Sequence, residues 1–225
     1  MIGILYIVAT PIGNLGDMTL RALETLKSVD VVLSEDTRVT GNLLRHFDIK
    51  KPLVSFHEHT ETEKAEKLIA RMQAGENMAL VTDAGTPGIS DPGNVLVALA
   101  AAAGIRVVPI PGASALGAIV SVAGIDMREF VFLGLPPHKK GRETFFKKVM
   151  ASDIPVIYYE SPHRVLKNLE LLMELAPDKN IILGRELTKI FEEVVRGSVS
   201  EVKTYLESKA GKMKGEFVIV VYPVT

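Results

Sequence analysis

The sequence predicts an α/β protein in two parts, the first built on a mostly parallel sheet and the second on a mixed one. Three observations carry this. Apolar runs rich in β-branched residues alternate with segments of helical period. The first and fourth runs are apolar almost throughout, as strands covered by helices on both faces are. Beyond Gly124 the pattern changes to one in which apolar and polar residues alternate, as in FEEVVRGSV with Phe191, Val194 and Arg196, the mark of antiparallel strands with a wetter face.

In order along the first part, the strand runs are GILYIVAT (3–10), VVLSED (31–36), LVSF (53–56), MALVTD (78–83) and RVVPIP (106–111). Between the third and fourth, TETEKAEKLIARMQAGE sets Ala65, Leu68, Ile69 and Met72 at i, i+3, i+4 and i+7. Lys64, Lys67 and Arg71 take the outer face, and Gly75 ends the helix. The second part reads as EFVFLGLP (129–136), a basic helix KGRETFFKKVM, strand IPVIYYES (154–161), helix PHRVLKNLELLMELA, strand KNIILGREL, the alternating run, helix SVSEVKTYLESKA and a last strand GEFVIVVYP. The change falls within 112–128, so the domains are taken as 1–118 and 119–225. No low-complexity linker joins them, and a fixed cleft between the halves is expected.

Composition excludes several functions. The 225 residues are 47% hydrophobic and 24% charged, enough for one large core or two small ones. The longest apolar run, VLVALAAAAGI (95–105), is too short and alanine-rich to span a bilayer, and the start carries no signal-peptide pattern. A cytoplasmic protein with no membrane partner is expected. Cysteine is absent, which rules out disulfides, thiolate metal sites and thiol nucleophiles. Formal net charge is −1, so a nucleic-acid partner would have to be held by a local patch.

Ligands of open α/β sheets collect beyond the carboxyl ends of the strands. Those ends here are ATPIGNLGD, SEDTR, SFHEHTE, TDAGTPG and PIPGASA, in which Pro, Gly, small hydroxyls and carboxylates recur. In VTDAGTPGISDPG (81–93), Asp83 closes a strand, while Gly85 permits the positive φ that brings main chain close to a ligand. The DPG at its end also reads as Asp91 capping the next helix. The phosphate-loop pattern GxxxxGK[ST] is missing, and Gly13 and Gly16 form GxxG without a leading GxG. Backbone contacts to a small cofactor suit these loops better than a polyphosphate cradle.

The set ATPIGNLGDMTLRALE, SEDTRVTGNLL, TDAGTPGISDPG, PGASA, YESPHR, RELTKIFEE and GEFVIVV closely resembles the tetrapyrrole methylase superfamily, over essentially the whole chain. PIGN, EDTR, DAGTPGISDPG and ESPHR match the branch that acts on small-subunit ribosomal RNA. The resemblance implies a two-domain tetrapyrrole-methylase-like fold with S-adenosylmethionine in the interdomain cleft, and a homodimer. It implies transfer of a methyl group to the ribose 2'-hydroxyl of a cytidine in the decoding region, with small-subunit ribosomal RNA or the assembled small subunit as partner. It also implies that Pro11, Asp83, Ala84, Gly85, Thr86, Ser114 and Ala115 line the cofactor from the first domain, and Leu133, Gly134, Pro162, Gly215 and Glu216 from the second. A small-metabolite methylase on the same fold is the competing reading. Ser114 has a second reading, as the start of the helix after the fifth strand.

For attack by a 2'-hydroxyl, a proton acceptor or a cation near the developing alkoxide is useful. The candidates are Asp36 and Arg38 in SEDTR, Glu160, His163 and Arg164 in YESPHR, and Glu186 and Lys189 in RELTK. Spacing alone does not rank them. Glu160 and Arg164, four apart, also read as a structural pair, and Lys189 reads equally as a phosphate contact. His57-Glu58-His59 has HxH spacing, but no HExxH, cysteine or third ligand accompanies it, so no metal is expected. Two basic runs, Lys139, Lys140, Arg142, Lys147 and Lys148, and Arg45, Lys50 and Lys51, are candidate phosphate contacts or simply solvated faces. Phe145 and Phe146 are expected to pack inward.

Overall fold

A computed structural model describes residues 1–56, 62–90, 93–175, 179–209 and 214–223. The chain divides into two compact units, Met1–Ser114 and Ala115–Thr225. His57, His59 and Asp91 lie outside the described residues.

The first unit holds β1 (Ile4–Val8), β2 (Val31–Ser34), β3 (Leu53–Ser55), β4 (Met78–Val81) and β5 (Arg106–Ile110) in one sheet of order β3-β2-β4-β1-β5, every neighbour parallel. Helices α1 (Leu20–Ser28), α2 (Thr37–His46), α3 (Thr62–Gln73) and α4 (Asn94–Ala102) connect consecutive strands. The steps through α1 and α2 run one way across the sheet and those through α3 and α4 the other. Right-handed crossovers therefore place the two pairs on opposite faces.

The alternation of side chains along the strands agrees. Leu5, Leu33, Met78 and Leu80 pack with Ala65, Leu68 and Met72 of α3 and with Leu96 and Ala100 of α4. Val8, Val32, Ala79 and Val81 pack with Ala22 and Leu26 of α1 and Leu44 of α2. This double cover explains why β2 and β4 are buried at every position. Because the neighbours β1 and β4 send their helices to opposite faces, their carboxyl ends form the switch point at which such sheets bind ligands.

The second unit opens with α5 (Ala115–Val122) and builds a mixed sheet of order β6-β7-β10-β8-β9 from β6 (Val131–Phe132), β7 (Val156–Glu160), β8 (Lys179–Arg185), β9 (Glu193–Ser198) and β10 (Phe217–Pro223). Only β6 and β7 are parallel; the other neighbours are antiparallel. Helices α6 (Arg142–Met150), α7 (Val165–Leu175) and α8 (Val199–Ser208) cover one face. Phe145 and Phe146 do pack inward, edge-on to Tyr158 in this core. The run EFVFLGLP yields only the two residues of β6, since its flanking residues lack strand partners. Among the described residues, no helix is long and apolar enough to cross a membrane.

Candidate active site

At the first unit's switch point, the loops after β1 and β4 are joined by a reciprocal pair of backbone hydrogen bonds. Thr10 N–H donates to the Gly85 carbonyl at 2.9 Å and Gly85 N–H to the Thr10 carbonyl at 3.0 Å. Gly85 makes this pairing with φ at +83°, in the left-handed region that side chains avoid. The Thr10 hydroxyl donates to the Thr82 carbonyl at 3.2 Å, and the Thr86 hydroxyl to the Ala113 carbonyl at 3.1 Å, which extends the rim to the loop after β5. Pro11 is buried beside this seam, Asp83 and Ala84 are exposed, and Thr86 and Ser114 are half-buried. Ser114 is the last residue before α5, which Ala115 begins.

The end of β2 joins the rim through Asp83, whose Oδ1 accepts the Asp36 N–H at 3.0 Å. Asp36 in turn caps α2 by accepting the Arg38 N–H at 2.8 Å and pairs with the Arg38 guanidinium at 2.6 Å. The side-chain and backbone hydrogen bonds from Arg38 hold the Asp36 carboxyl down at about 2. A carboxylate held that low is a weak base, whereas the Arg38 side chain is 87% exposed and open to an anion.

The second unit's candidates also share one sheet end. Phe217 at the start of β10 pairs with Glu160 at the end of β7 and with Arg185 at the end of β8, which pairs with Glu193 at the start of β9. Gly134, just past β6, accepts the Tyr159 N–H at 2.9 Å, and Leu133 and Pro162 are half-buried nearby in the chain.

Glu160 is enclosed: its side chain has 0% exposure. Oε1 accepts the Ser161 N–H at 2.8 Å and lies 3.3 Å from Arg164 Nε, while Oε2 accepts a short hydrogen bond from Asn168 Nδ2. Arg164 also donates to the Ser161 hydroxyl at 3.1 Å and the Pro136 carbonyl at 2.9 Å, tying α7 to the loop that leads into α6. Burial, then the charge of Glu160, pushes the Tyr158 hydroxyl up, so that phenol stays protonated. His163 is exposed.

Lys189 sits in a different setting. Its ammonium is 2.8 Å from Glu186 Oε1 and 3.1 Å from Glu216 Oε2. Burial pulls the Lys189 amine down, but the hydrogen bonds and charges of the two carboxylates outweigh it, and the net shift is upward. Glu186 is pulled both ways in the same manner and ends below the usual carboxylate value. Gly215 makes this packing possible: at φ +104°, a Cβ there would stand 2.4 Å from the Glu186 side chain. Glu216, expected as a cofactor contact, is thus also the second carboxylate on Lys189.

Sequence reading missed Asn168. It occupies the apolar stripe Val165, Leu169 and Leu172 of α7, all buried. A lone amide at an inward position of such a stripe is itself a signal that a buried polar partner waits across the helix.

A model of the tetrapyrrole (corrin/porphyrin) methylases matches residues 4–203. The chain belongs to this family. A relative from Synechocystis sp., named ribosomal RNA small subunit methyltransferase I, is 46% identical over 225 residues, covering 99% of this chain and 80% of that one. A relative of the same name from Escherichia coli O157:H7 is 47% identical over 221 residues, covering 97% and 77%. Among solved structures, uroporphyrin-III-C-methyltransferase from Thermus thermophilus aligns with a TM-score of 0.66 and 22% identity, covering 98% of this chain and 94% of that one. That last likeness concerns the fold alone.

Family membership makes S-adenosylmethionine the cofactor, and the first unit's rim fits such a molecule. Its turns expose main chain and small residues at the β1–β4 switch point. The exposed Asp83 carboxylate accepts the Asp36 N–H and, with about four acceptor positions in all, has capacity for an ammonium group.

Proposed function

We propose that this chain is an S-adenosylmethionine-dependent methyltransferase of small-subunit ribosomal RNA, acting on the ribose 2'-hydroxyl of a cytidine in the decoding region. The observation that carries the reading is identity of 44–47% over nearly the whole chain to relatives named for ribosomal RNA small subunit methylation. Likeness to a tetrapyrrole enzyme at 22% identity gives the metabolite reading no comparable support. The choice of a cytidine 2'-hydroxyl comes from the PIGN, EDTR, DAGTPGISDPG and ESPHR motifs.

The cofactor supplies an electrophilic methyl group on a sulfonium. Asp83, Ala84, Gly85 and Thr86, with Pro11, Ser114 and Ala115, hold it by main chain and one carboxylate, and Leu133, Gly134, Pro162, Gly215 and Glu216 complete the set of contacts. Lys189 stabilises the oxygen of the attacking hydroxyl as negative charge develops there. Being protonated already, it does not take the hydroxyl proton, which passes to water. Glu186 and Glu216 hold its ammonium in place. Glu160 and Arg164 are positioning residues: the buried carboxylate fixes Arg164, which fixes the start of α7 and the Pro136 loop. Asp36 caps α2 and aims Arg38, whose planar fork suits a phosphate. Lys139, Lys140 and Arg142 add phosphate contacts, and the protein works as a homodimer.

The test is a map of 2'-O-methylation in ribosomal RNA from cells with and without the gene, paired with methyl transfer by the purified protein to free RNA and to assembled small subunits. One decoding-region cytidine should lose its methyl group in the deletion and regain it in vitro. An unchanged map rejects the reading, and turnover on a tetrapyrrole in its place would establish the metabolite alternative.

A further inference from the structure

The turn between β8 and β9 ends in two adjacent apolar side chains that no core receives: Ile190 is 95% exposed and Phe191 73%. The turn is held firmly. Lys189 N–H donates to the Glu186 carbonyl at 2.9 Å, Glu192 N–H to the Lys189 carbonyl at 3.1 Å, and Thr188 N–H to the Glu192 carboxylate. Its backbone passes through positive φ at Glu186 (49°) and Thr188 (68°), a conformation that a β-branched residue adopts only where its surroundings impose it. The three carboxylates of the turn are engaged on partners. Glu186 is on Lys189 and the Glu216 N–H, Glu192 on the Thr188 N–H, and Glu193 on Arg185, Tyr205 and Lys209. The tip therefore presents an aromatic face and an alkyl chain beside one anchored ammonium.

The geometry points to Phe191 as a stacking platform for a base of the RNA substrate next to the methylated ribose, with Ile190 at the base's edge; this rests on the RNA reading above. Unpaired bases are recognised by stacking on aromatic side chains, because every base has an apolar π-face. Two residues of backbone reach no more than about 7 Å, so a base on Phe191 brings its own or the neighbouring ribose within range of the Lys189 ammonium. An apolar tip can also seat against protein. The anchored cation and the engaged carboxylates favour a polyanion, and self-association becomes the competing outcome of the test.

Phe191→Ala should lower kcat/KM for unmethylated small ribosomal subunits by about tenfold or more, with S-adenosylmethionine affinity and melting temperature unchanged. Phe191→Tyr, which keeps the ring, should restore it. The chain has no tryptophan, so Phe191→Trp creates a single indole whose emission should be quenched by a short single-stranded RNA. If the parent methylates ribosomal RNA and Phe191→Ala does so equally well, the platform is rejected while the proposed function stands. Emission that changes with protein concentration but not with RNA assigns the tip to self-association and also rejects it. A parent that methylates no ribosomal RNA removes both readings.

Discussion

The two sheet ends that carry the candidate residues are built by different means. In the first unit the rim is joined mainly by main chain: the Thr10–Gly85 pair closes the switch point, and hydroxyls on carbonyls extend it toward β5. In the second unit the corresponding groups are side-chain ions, Glu186–Lys189–Glu216 and Arg185–Glu193–Lys209. A rim made of backbone keeps its shape whatever the charge state and suits recognition of a small molecule. An end made of ion clusters holds charge in place, which suits a reaction in which an oxygen gains negative charge. Binding and chemistry are thus written in different parts of the covalent structure, one in glycines and turns, the other in Lys and Glu.

The comparison breaks most visibly if Lys189 can be removed without consequence. Lys189→Ala should cut the single-turnover methylation rate roughly 10²- to 10³-fold, the usual cost of losing a group aimed at developing charge, while S-adenosylmethionine affinity stays at the parental value. Glu186→Gln should cost less and leave a pH signature. The carboxylates raise the Lys189 pKa, so the protonated form persists to higher pH in the parent. Removing one of them lowers that pKa, and the alkaline limb of the rate profile should move to lower pH. An unmoved limb would mean that Lys189 does not act through its charge.

A smaller effect is expected at the backbone-built rim. Gly85→Val places a β-branched residue at φ +83°, with strain of roughly 1–3 kcal/mol. The Thr10–Gly85 pairing should open, and calorimetry should show S-adenosylmethionine affinity reduced by roughly ten- to a hundredfold in a chain that still folds. Parental affinity would remove the 83–86 turn from the cofactor site and leave the two ends without the contrast drawn here.

Much of the fold was legible because its signals are local. The runs at 4–8, 31–34, 53–55, 78–81 and 106–110 became strands, and Gly75 ends α3 at φ +109°. The strand order was not legible: that β4 inserts between β2 and β1 depends on which crossovers pack best, which periodicity does not encode. The candidate residues at each sheet end were found by their place after strand runs. Their partnerships were not, since Glu216 meets Lys189 and Asp83 meets Asp36 across long separations in sequence. Glu160 shows the limit plainly. Its motif marks it as important, but only the packing of Asn168 and Arg164 reveals that both of its oxygens are enclosed.

The smallest predicted effect concerns acid, and it sharpens the comparison because backbone pairs do not titrate. Glu193 accepts Arg185 at 2.8 Å and Tyr205 and Lys209 at 2.7 Å each, linking β8, β9 and α8, and Lys209 also lies 4.3 Å over the Tyr205 ring. Burial raises the Glu193 carboxyl, but the hydrogen bonds from Lys209, Arg185 and Tyr205 outweigh it and bring it down to about 2, from an ordinary 4.5. A carboxyl lowered on folding means the native state binds fewer protons than the unfolded chain. Its contribution is complete above about 4.5 and is lost as pH falls toward about 2. The parent's melting temperature should therefore drop through that window, and Glu193→Gln, already less stable at neutral pH, should drop less. In the first unit Asp36 is lowered in the same way, but its protonation loosens the α2 cap and leaves the Thr10–Gly85 bonds untouched. Amide exchange in acid, corrected for intrinsic rates, should show β8, β9 and α8 losing protection while Thr10 and Gly85 keep theirs. If those two amides lose protection together with the second unit, the first rim depends on charge as much as the second does, and the division between a backbone-built and an ion-built end fails.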